Sequence, residues 1–472
     1  MTAIPILNGV YADQAPDWRT RYPRNMVAVP KAQGISQGYL RPADGIVLFG
    51  TGPGVDRGGI EWNGVMYRVM GTKLCSVSAG GSVTVLGDVG GVGQVTLDYG
   101  FDRLAIASGG RLYYWNGSTL SQVTDTDLGT VVDMQWVAGY YMTTDGTYLI
   151  VTELNDPTAV NPLKYGSAES DPDPIKAVRE LRNEVYAFGR HTIEVFENVG
   201  GDNFPFQRIE EAQVPRGAIG THAVSEFIGS FAFLGGGKNE APAVWLMQPG
   251  DSTKLSTREI DQVLEGYTEA QLADVVLESR VSKGHLQLYM HLPDQCWIYD
   301  AAASKAAGEP VWYSADSGLG EPSTYRARSL VWAYDRWLAG DPTGPGIGEL
   351  VTNRSDHFGA KIGWEFGTLM LFNGGDGAVV HELELITLPG RVALGPEPTI
   401  WTSYSLDGET WSQERPKAAG KQGQRAKRIA WRRNGDMQMY RTQRFRGTSD
   451  AHLSIAALQA QIEPLTFGGD GG

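Results

Sequence analysis

Short runs of apolar and aromatic residues, cut at regular intervals by glycine turns, make up most of this chain. Leu104-Ala-Ile-Ala runs into Ser108-Gly109-Gly110, and Leu112-Tyr-Tyr-Trp115 runs on toward Asn116-Gly117. Such turns need positive φ, which glycine and asparagine tolerate, so the pattern predicts consecutive β-hairpins. The unit recurs at residues 65–77, 104–115, 140–151, 185–196, 231–247, 286–299 and, more weakly, 337–351. Successive starts lie about 36 to 55 residues apart, the spacing of propeller blades. The competing arrangement for such a pattern is a pair of β-sandwiches.

Three stretches depart from this rhythm. Residues 1–60 carry prolines at 5, 16, 23, 30, 42 and 53, which predicts an extended arm over a scaffold rather than regular elements. Ser256-Thr-Arg-Glu259 and Thr268-Glu-Ala-Gln271 each have the spacing of a capping box. Ile260, Val263, Leu264, Leu272, Val275 and Val276 follow at helical period, so two short helices with a scaffold role are expected. From about Val379 the strands change texture: 381–386, 399–404, 427–431 and 453–456 alternate, with a turn at Asp407-Gly408. The expected fold is all-β: a β-propeller of six or seven blades with an N-terminal extended arm, two short helices and a C-terminal β-sandwich-like domain. Its expected parts are an arm at 1–60, a propeller at 61–378 with a helical insert near 256–276, a β domain at 379–464 and a flexible tail at 465–472.

Composition narrows the function. At 472 residues and 42% hydrophobic content, the chain can bury a large core but holds no apolar run near the roughly 20 residues of a spanning helix. No secretory signal is visible at the N-terminus, and Cys75 and Cys296 alone make no disulfide framework, so a soluble protein of a reducing compartment is expected. The net charge is −14, yet residues 415–446 hold eleven Lys and Arg against Asp436 alone, a local +10 that leaves −24 on the remainder. Three readings of that segment stay open: a solvated strand face, an interface with an acidic partner such as a neighbouring copy, or direct DNA contact. Arginine predominates, which suits bidentate pairing with carboxylates, and few aromatics interleave it.

Candidate chemistry is sparse. The seven histidines show no metal-ligand spacing; His285 and His291 fall on one strand face without a third ligand nearby. Gly235-Gly-Gly-Lys238 lacks the flanks of a phosphate loop and reads as a turn. Ser405-Leu-Asp407-Gly408-Glu-Thr410-Trp411 resembles the Asp-box of sialidase propellers one spacer short, itself a structural turn. No carboxylate pair for glycoside hydrolysis can be assigned. The expectation is a non-enzyme with no catalytic residue, cofactor or metal; a sialidase-like or carbohydrate-binding propeller is the alternative.

Several stretches carry a family resemblance. Asn25-Met-Val-Ala-Val-Pro-Lys31, Gly38-Tyr-Leu-Arg41 and Asp44-Gly-Ile46 resemble the N-terminal region of the packaged-DNA stabilisation protein (tail hub, or nozzle) of short-tailed phages. Val65-Met-Tyr-Arg-Val-Met-Gly71, the 260–276 helices around Tyr267-Thr268, His291-Leu-Pro293, Ile298-Tyr-Asp300 and Trp431-Arg agree in order along the chain. Ala43-Asp44, where the family's proline is expected before Gly45, and the tail beyond Pro464 depart from it. The resemblance implies a virion protein assembled in the host cytoplasm. It would form a homo-oligomeric ring, a hexameric tube, below the portal adaptor protein and carry the tail needle or fibre and spike proteins. Double-stranded DNA would be retained, and later pass, without sequence-specific binding. Residues expected at subunit or adaptor contacts are Tyr39 and Arg41 in the arm, and Arg425, Lys427, Arg428, Arg432, Arg433, Arg441, Arg444 and Arg446 in the basic segment.

Overall fold

The computed structural model describes residues 2–6, 10–11, 20–31, 38–154, 156–168, 173–352, 354, 356–390, 397–448 and 453–465. Apart from Leu465, the expected tail lies outside them. The seven hairpins read from the sequence become the second and third strands of seven antiparallel sheets among the described residues. In the second blade, for example, Leu104 pairs with Trp115 and Ser108 with Arg111, the register that the Gly109-Gly110 turn imposes. The inner strands Asp56–Trp62, Thr96–Tyr99, Asp133–Val137, Ile175–Leu181, Val224–Phe227, Val276–Ser282 and Arg328–Ala333 stand round one axis, and the last packs on the first. The sheets are therefore the blades of a seven-bladed propeller. Each of seven apolar clusters fills one gap between neighbouring blades, from Trp62, Val69 and Trp115 in the first to Met70, Val331 and Ile347 in the last.

The N-terminal 60 residues depart most from expectation. Gly45–Thr51 is the outer strand of the seventh blade, paired antiparallel to Gly346–Val351. A Cβ on Gly348 would lie 2.2 Å from Ile46 Cγ2, so the two strands meet where only glycine fits. Met26–Pro30 pairs with Gly38–Pro42, and Thr2–Ile4 pairs with Ile455–Pro464, all within a seven-stranded sheet of the second domain. The prolines that argued against strands sit at strand ends, at Pro30 and Pro42, where a missing N–H does no harm. A five-stranded sheet built on Thr399–Ser405 and Tyr440–Thr448 faces the seven-stranded one, and Ile4, Met26, Leu40, Trp364, Leu385, Trp431 and Phe445 fill the sandwich between them. The chain thus starts in the sandwich, runs once round the propeller, and returns to the sandwich.

Arg24 and Asn25 fasten the two parts. Arg24 spans Asp316 with Nε at 2.5 Å, while the Asn25 amide donates to the Asp316 and Gly363 carbonyls at 3.1 and 2.8 Å. The sandwich is consequently held at the seam of the sixth and seventh blades.

Helix α1 (Arg258–Glu265) begins one residue later than the first capping box implies. Ser256 is taken by Asp261 at 2.6 Å, and Thr257 at the N-cap makes no capping bond to the helix, its hydroxyl lying 2.9 Å from the Tyr22 hydroxyl instead. Helix α2 (Glu269–Ala273) has the expected reciprocal box between Thr268 and Gln271. Helix α3 (Ala301–Ala307) was not expected, although Asp300 caps it and Gly308 ends it in the left-handed region.

Asp44, next to the closing strand, is buried between Arg280 at 2.7 Å and Arg41 at 3.1 Å. Burial alone would raise its pKa; the two guanidiniums outweigh that and hold the carboxyl below its ordinary value. A depressed folded pKa gives stability that is complete above about pH 4, the unfolded value, and is lost as pH falls through the folded one. Replacing Asp44 with Asn should cost about 2 kcal/mol at neutral pH and flatten the acid limb of a urea-stability profile. An unchanged acid limb would deny Asp44 that role.

Candidate functional site: the arginine-rich edge of the sandwich

Arg415–Ala418 is an edge strand of the five-stranded sheet and Ile429–Arg432 an edge strand of the seven-stranded one. Between them lies an open cleft of about 680 Å³ lined by Glu414, Arg415, Lys417, Arg428, Trp431 and Arg432, among others. Arg415 ties the edges together, donating to the Arg432 and Arg433 carbonyls at 2.5 and 3.0 Å, and the Trp431 indole returns a bond to the Arg415 carbonyl at 3.0 Å.

The cations of the segment divide into three groups. Arg428 binds Glu384 and stands 3.3 Å from Glu382, Arg432 reaches Glu382 at 3.0 Å, and Lys427 reaches Glu397 at 2.5 Å. The Arg432 pairing follows from register, since Glu382 lies opposite Arg432 on the neighbouring strand. Arg446 binds Glu414, while Arg444 stands 3.9 Å from it and 4.2 Å over the Trp411 ring. Arg425 and Arg433 are exposed, and neither forms an ion pair among the described residues. Arg433 ends its strand at φ +59° with its backbone N–H on the His381 carbonyl.

Two expected contact residues belong instead to the interior. Arg441 is 1% exposed, lies 3.8 Å over the Tyr404 ring, and donates to Gln443 and to the Asn434 carbonyl. Burial pushes its pKa down to about 10. Arg41 is buried against Asp44 as described above. Neither guanidinium can reach another molecule, because strand alternation turns both inward. Tyr39, half-buried opposite Val29, keeps a surface face. The acids that neutralise part of the segment escaped the sequence reading, because Glu382, Glu384, Glu397 and Glu414 meet the arginines only through strand pairing.

At the propeller axis, Gln94, Gln135, Arg179, His222 and Glu278 line a polar cavity of about 230 Å³. Its charges are engaged. Asp133 takes Thr96, the Val178 N–H and Arg179, while Glu278 accepts from the Ser329 and Leu330 N–H groups at 3.1 and 2.6 Å. Burial pushes His222 down to about 4. Arg179 is the single arginine among the described residues lining this cavity, not the cluster of a sialidase-like centre. Asp407 accepts from the Glu409 and Thr410 N–H groups at 3.0 and 2.8 Å, so the Asp-box-like stretch is a turn of the sandwich. His285 and His291 point to separate carboxylates, Asp300 and Glu278, and no three-ligand metal cluster occurs among the described residues.

Comparison with known proteins agrees with this architecture. The chain is 27% identical to the tail hub protein gp10 of Salmonella phage P22, over 98% of this chain and 99% of that protein. Among solved structures, the N-terminal domain of Nup159 is 8% identical, with a TM-score of 0.41 over 70% of this chain and 99% of that one. PorZ of Porphyromonas gingivalis is 12% identical, with a TM-score of 0.40 over 79% and 46%. Residues 2–355 match the family model described as bacteriophage P22 Gp10, beta-propeller, and residues 363–463 match its companion, bacteriophage P22 Gp10, beta-sandwich. With both models matched in order along nearly its whole length, the chain belongs to the bacteriophage P22 Gp10 family.

Proposed function

We propose that this protein is a structural tail hub of a short-tailed phage. Copies of it form a ring, a hexamer, below the portal adaptor; the ring retains packaged DNA, carries needle or fibre and spike proteins, and becomes the channel for genome exit. The observation that carries this reading is end-to-end similarity to a protein named as a tail hub, across both domains. Charge supports it: a body of −24 outside the basic segment suits a DNA conduit, because a cationic wall would grip passing phosphates. The role is mechanical rather than catalytic.

Within this reading the exposed arginines Arg425, Arg432 and Arg433, with Tyr39, meet the neighbouring subunit or the adaptor. Lys427, Arg428, Arg444 and Arg446, already paired within the chain, border that contact. Mixing the protein with its adaptor should give rings in negative-stain micrographs. Changing Arg432 and Arg433 together to Glu should reduce ring formation about tenfold or more, since a carboxylate at position 432 would also repel Glu382. If the double variant assembles normally and virions made with it keep their DNA, the arginine edge is not the contact.

A further inference from the structure

The propeller carries an aromatic surface that its own chain leaves uncovered. All seven inner strands run the same way along the axis, so the turns that end them share one face of the wheel. Most blades use a tight turn there, such as Asn63-Gly64, Ala138-Gly139 or Lys283-Gly284. The second blade instead projects Phe101, 93% exposed, from the longer Gly100–Arg103 connection. Its ring meets Trp136 of the third blade edge-on, with centroids 5.5 Å apart. Tyr99 and Leu154, 44% and 53% exposed, extend the patch, Leu154 lying against Gly139. A contiguous apolar patch of this kind marks an interaction site. Its rim carries Asp102, Glu153 and Asp156 with Arg103 and Lys164, a net negative charge. The two cations are committed to Asp102 and Glu153, leaving Asp156, which accepts from Thr158, without an ion pair among the described residues.

We infer that this patch on the second and third blades receives the arginine-rich sandwich edge of a second copy of the chain. Aromatic faces ringed by carboxylates are what guanidinium groups bind best, by stacking and bidentate pairing at once. Lys421, Arg425 and Arg433 supply exposed cations that form no ion pair among the described residues. The contact cannot form within one chain. The sandwich is fastened at the sixth and seventh blades, and the first blade on one side and the fourth and fifth on the other separate it from the patch. Between copies it joins unlike surfaces head to tail, and such a contact repeats until the ring closes. The inference rests on the proposed ring and names the surface that would receive its arginines.

The experiment uses the full-length chain in two arms. In the first, p-benzoylphenylalanine replaces residue 101, and an equal mixture of isotopically heavy and light chains is irradiated. Mixed-isotope adducts on residues 415–433 are expected; adducts confined to one chain, or to other regions, overturn the contact. In the second, mass photometry with and without the adaptor follows assembly of the wild type and of Phe101→Asp. The exposed side chain leaves the melting temperature unchanged, while the concentration at half-assembly should rise about tenfold or more. Rings from Phe101→Asp at the wild-type concentration would overturn the patch and leave the ring standing. Wild-type protein that stays monomeric throughout would overturn the ring itself, and the contact with it.

Discussion

A chain beginning at residue 52 will not reach the native state. The missing segment holds the outer strand of the seventh blade and three strands of the seven-stranded sheet, so its loss opens the propeller and strips the sandwich together. Ile4, Ile6, Met26, Leu40 and Ile46 are all at most 5% exposed. Truncating one such side chain to Ala costs about 2–5 kcal/mol, and a domain has only about 5–15 kcal/mol in all. Removing five costs about 10–25 kcal/mol, which matches or exceeds the available stability before the lost ladders are considered. The same reasoning applies to a fragment of residues 363–464, which carries most of the sandwich sequence but lacks Met26 and Leu40 from its core. Both should show collapsed near-ultraviolet circular dichroism and rapid proteolysis, while the full chain resists. A cooperative melt from either fragment would show that the N-terminal strands are decoration rather than closure.

That dependence was invisible in the sequence for a physical reason. Hairpins are local: Leu104–Ser108 and Arg111–Trp115 announce each other through the glycines between them, and all seven such units were legible. The partner of Gly45–Thr51 lies about 300 residues away, and no turn chemistry links the two. Tyr440–Thr448 was missed differently. It reads Tyr-Arg-Thr-Gln-Arg-Phe-Arg-Gly-Thr, a solvated face by polarity, yet Arg441, Thr442 and Gln443 are buried in a central strand. Arg441 and Gln443 are satisfied by each other and by neighbours: Gln443 donates to Thr402 at 2.6 Å, and Arg441 reaches the Asn434 carbonyl at 2.7 Å. Polarity misleads where a buried network supplies the hydrogen bonds that water would. The basic segment was legible as charge, but which arginines remain free depends on Glu382, Glu384 and Glu414 brought in by pairing.

The first and seventh blades meet over a buried ion pair, and breaking it should give one of the larger losses available to a single side chain. Arg68 and Asp56 have side chains 0% and 1% exposed, with Nε and Oδ1 2.6 Å apart. Arg68 also donates to the Ser329 carbonyl of the seventh blade at 3.0 Å, so the pair joins the blades where the wheel closes. A Cβ on Gly340 would fall 1.9 Å from Asp56 Cγ, which leaves the carboxylate no room to turn away. Asp56→Asn keeps the shape and strands the guanidinium without a counter-charge. The expected loss is roughly 3–5 kcal/mol, the cost of one uncompensated buried charge. Asp56→Asn combined with Arg68→Met removes both charges and should recover much of that loss, because desolvating the pair offsets most of its attraction. Urea unfolding of the two single variants and the double isolates the coupling. If Asp56→Asn lies within about 0.5 kcal/mol of wild type, the scale of a neutral surface substitution, the pair does not hold the first blade to the seventh. Closure would then rest on the Gly45–Thr51 strand and the apolar seam of Met70, Val331 and Ile347.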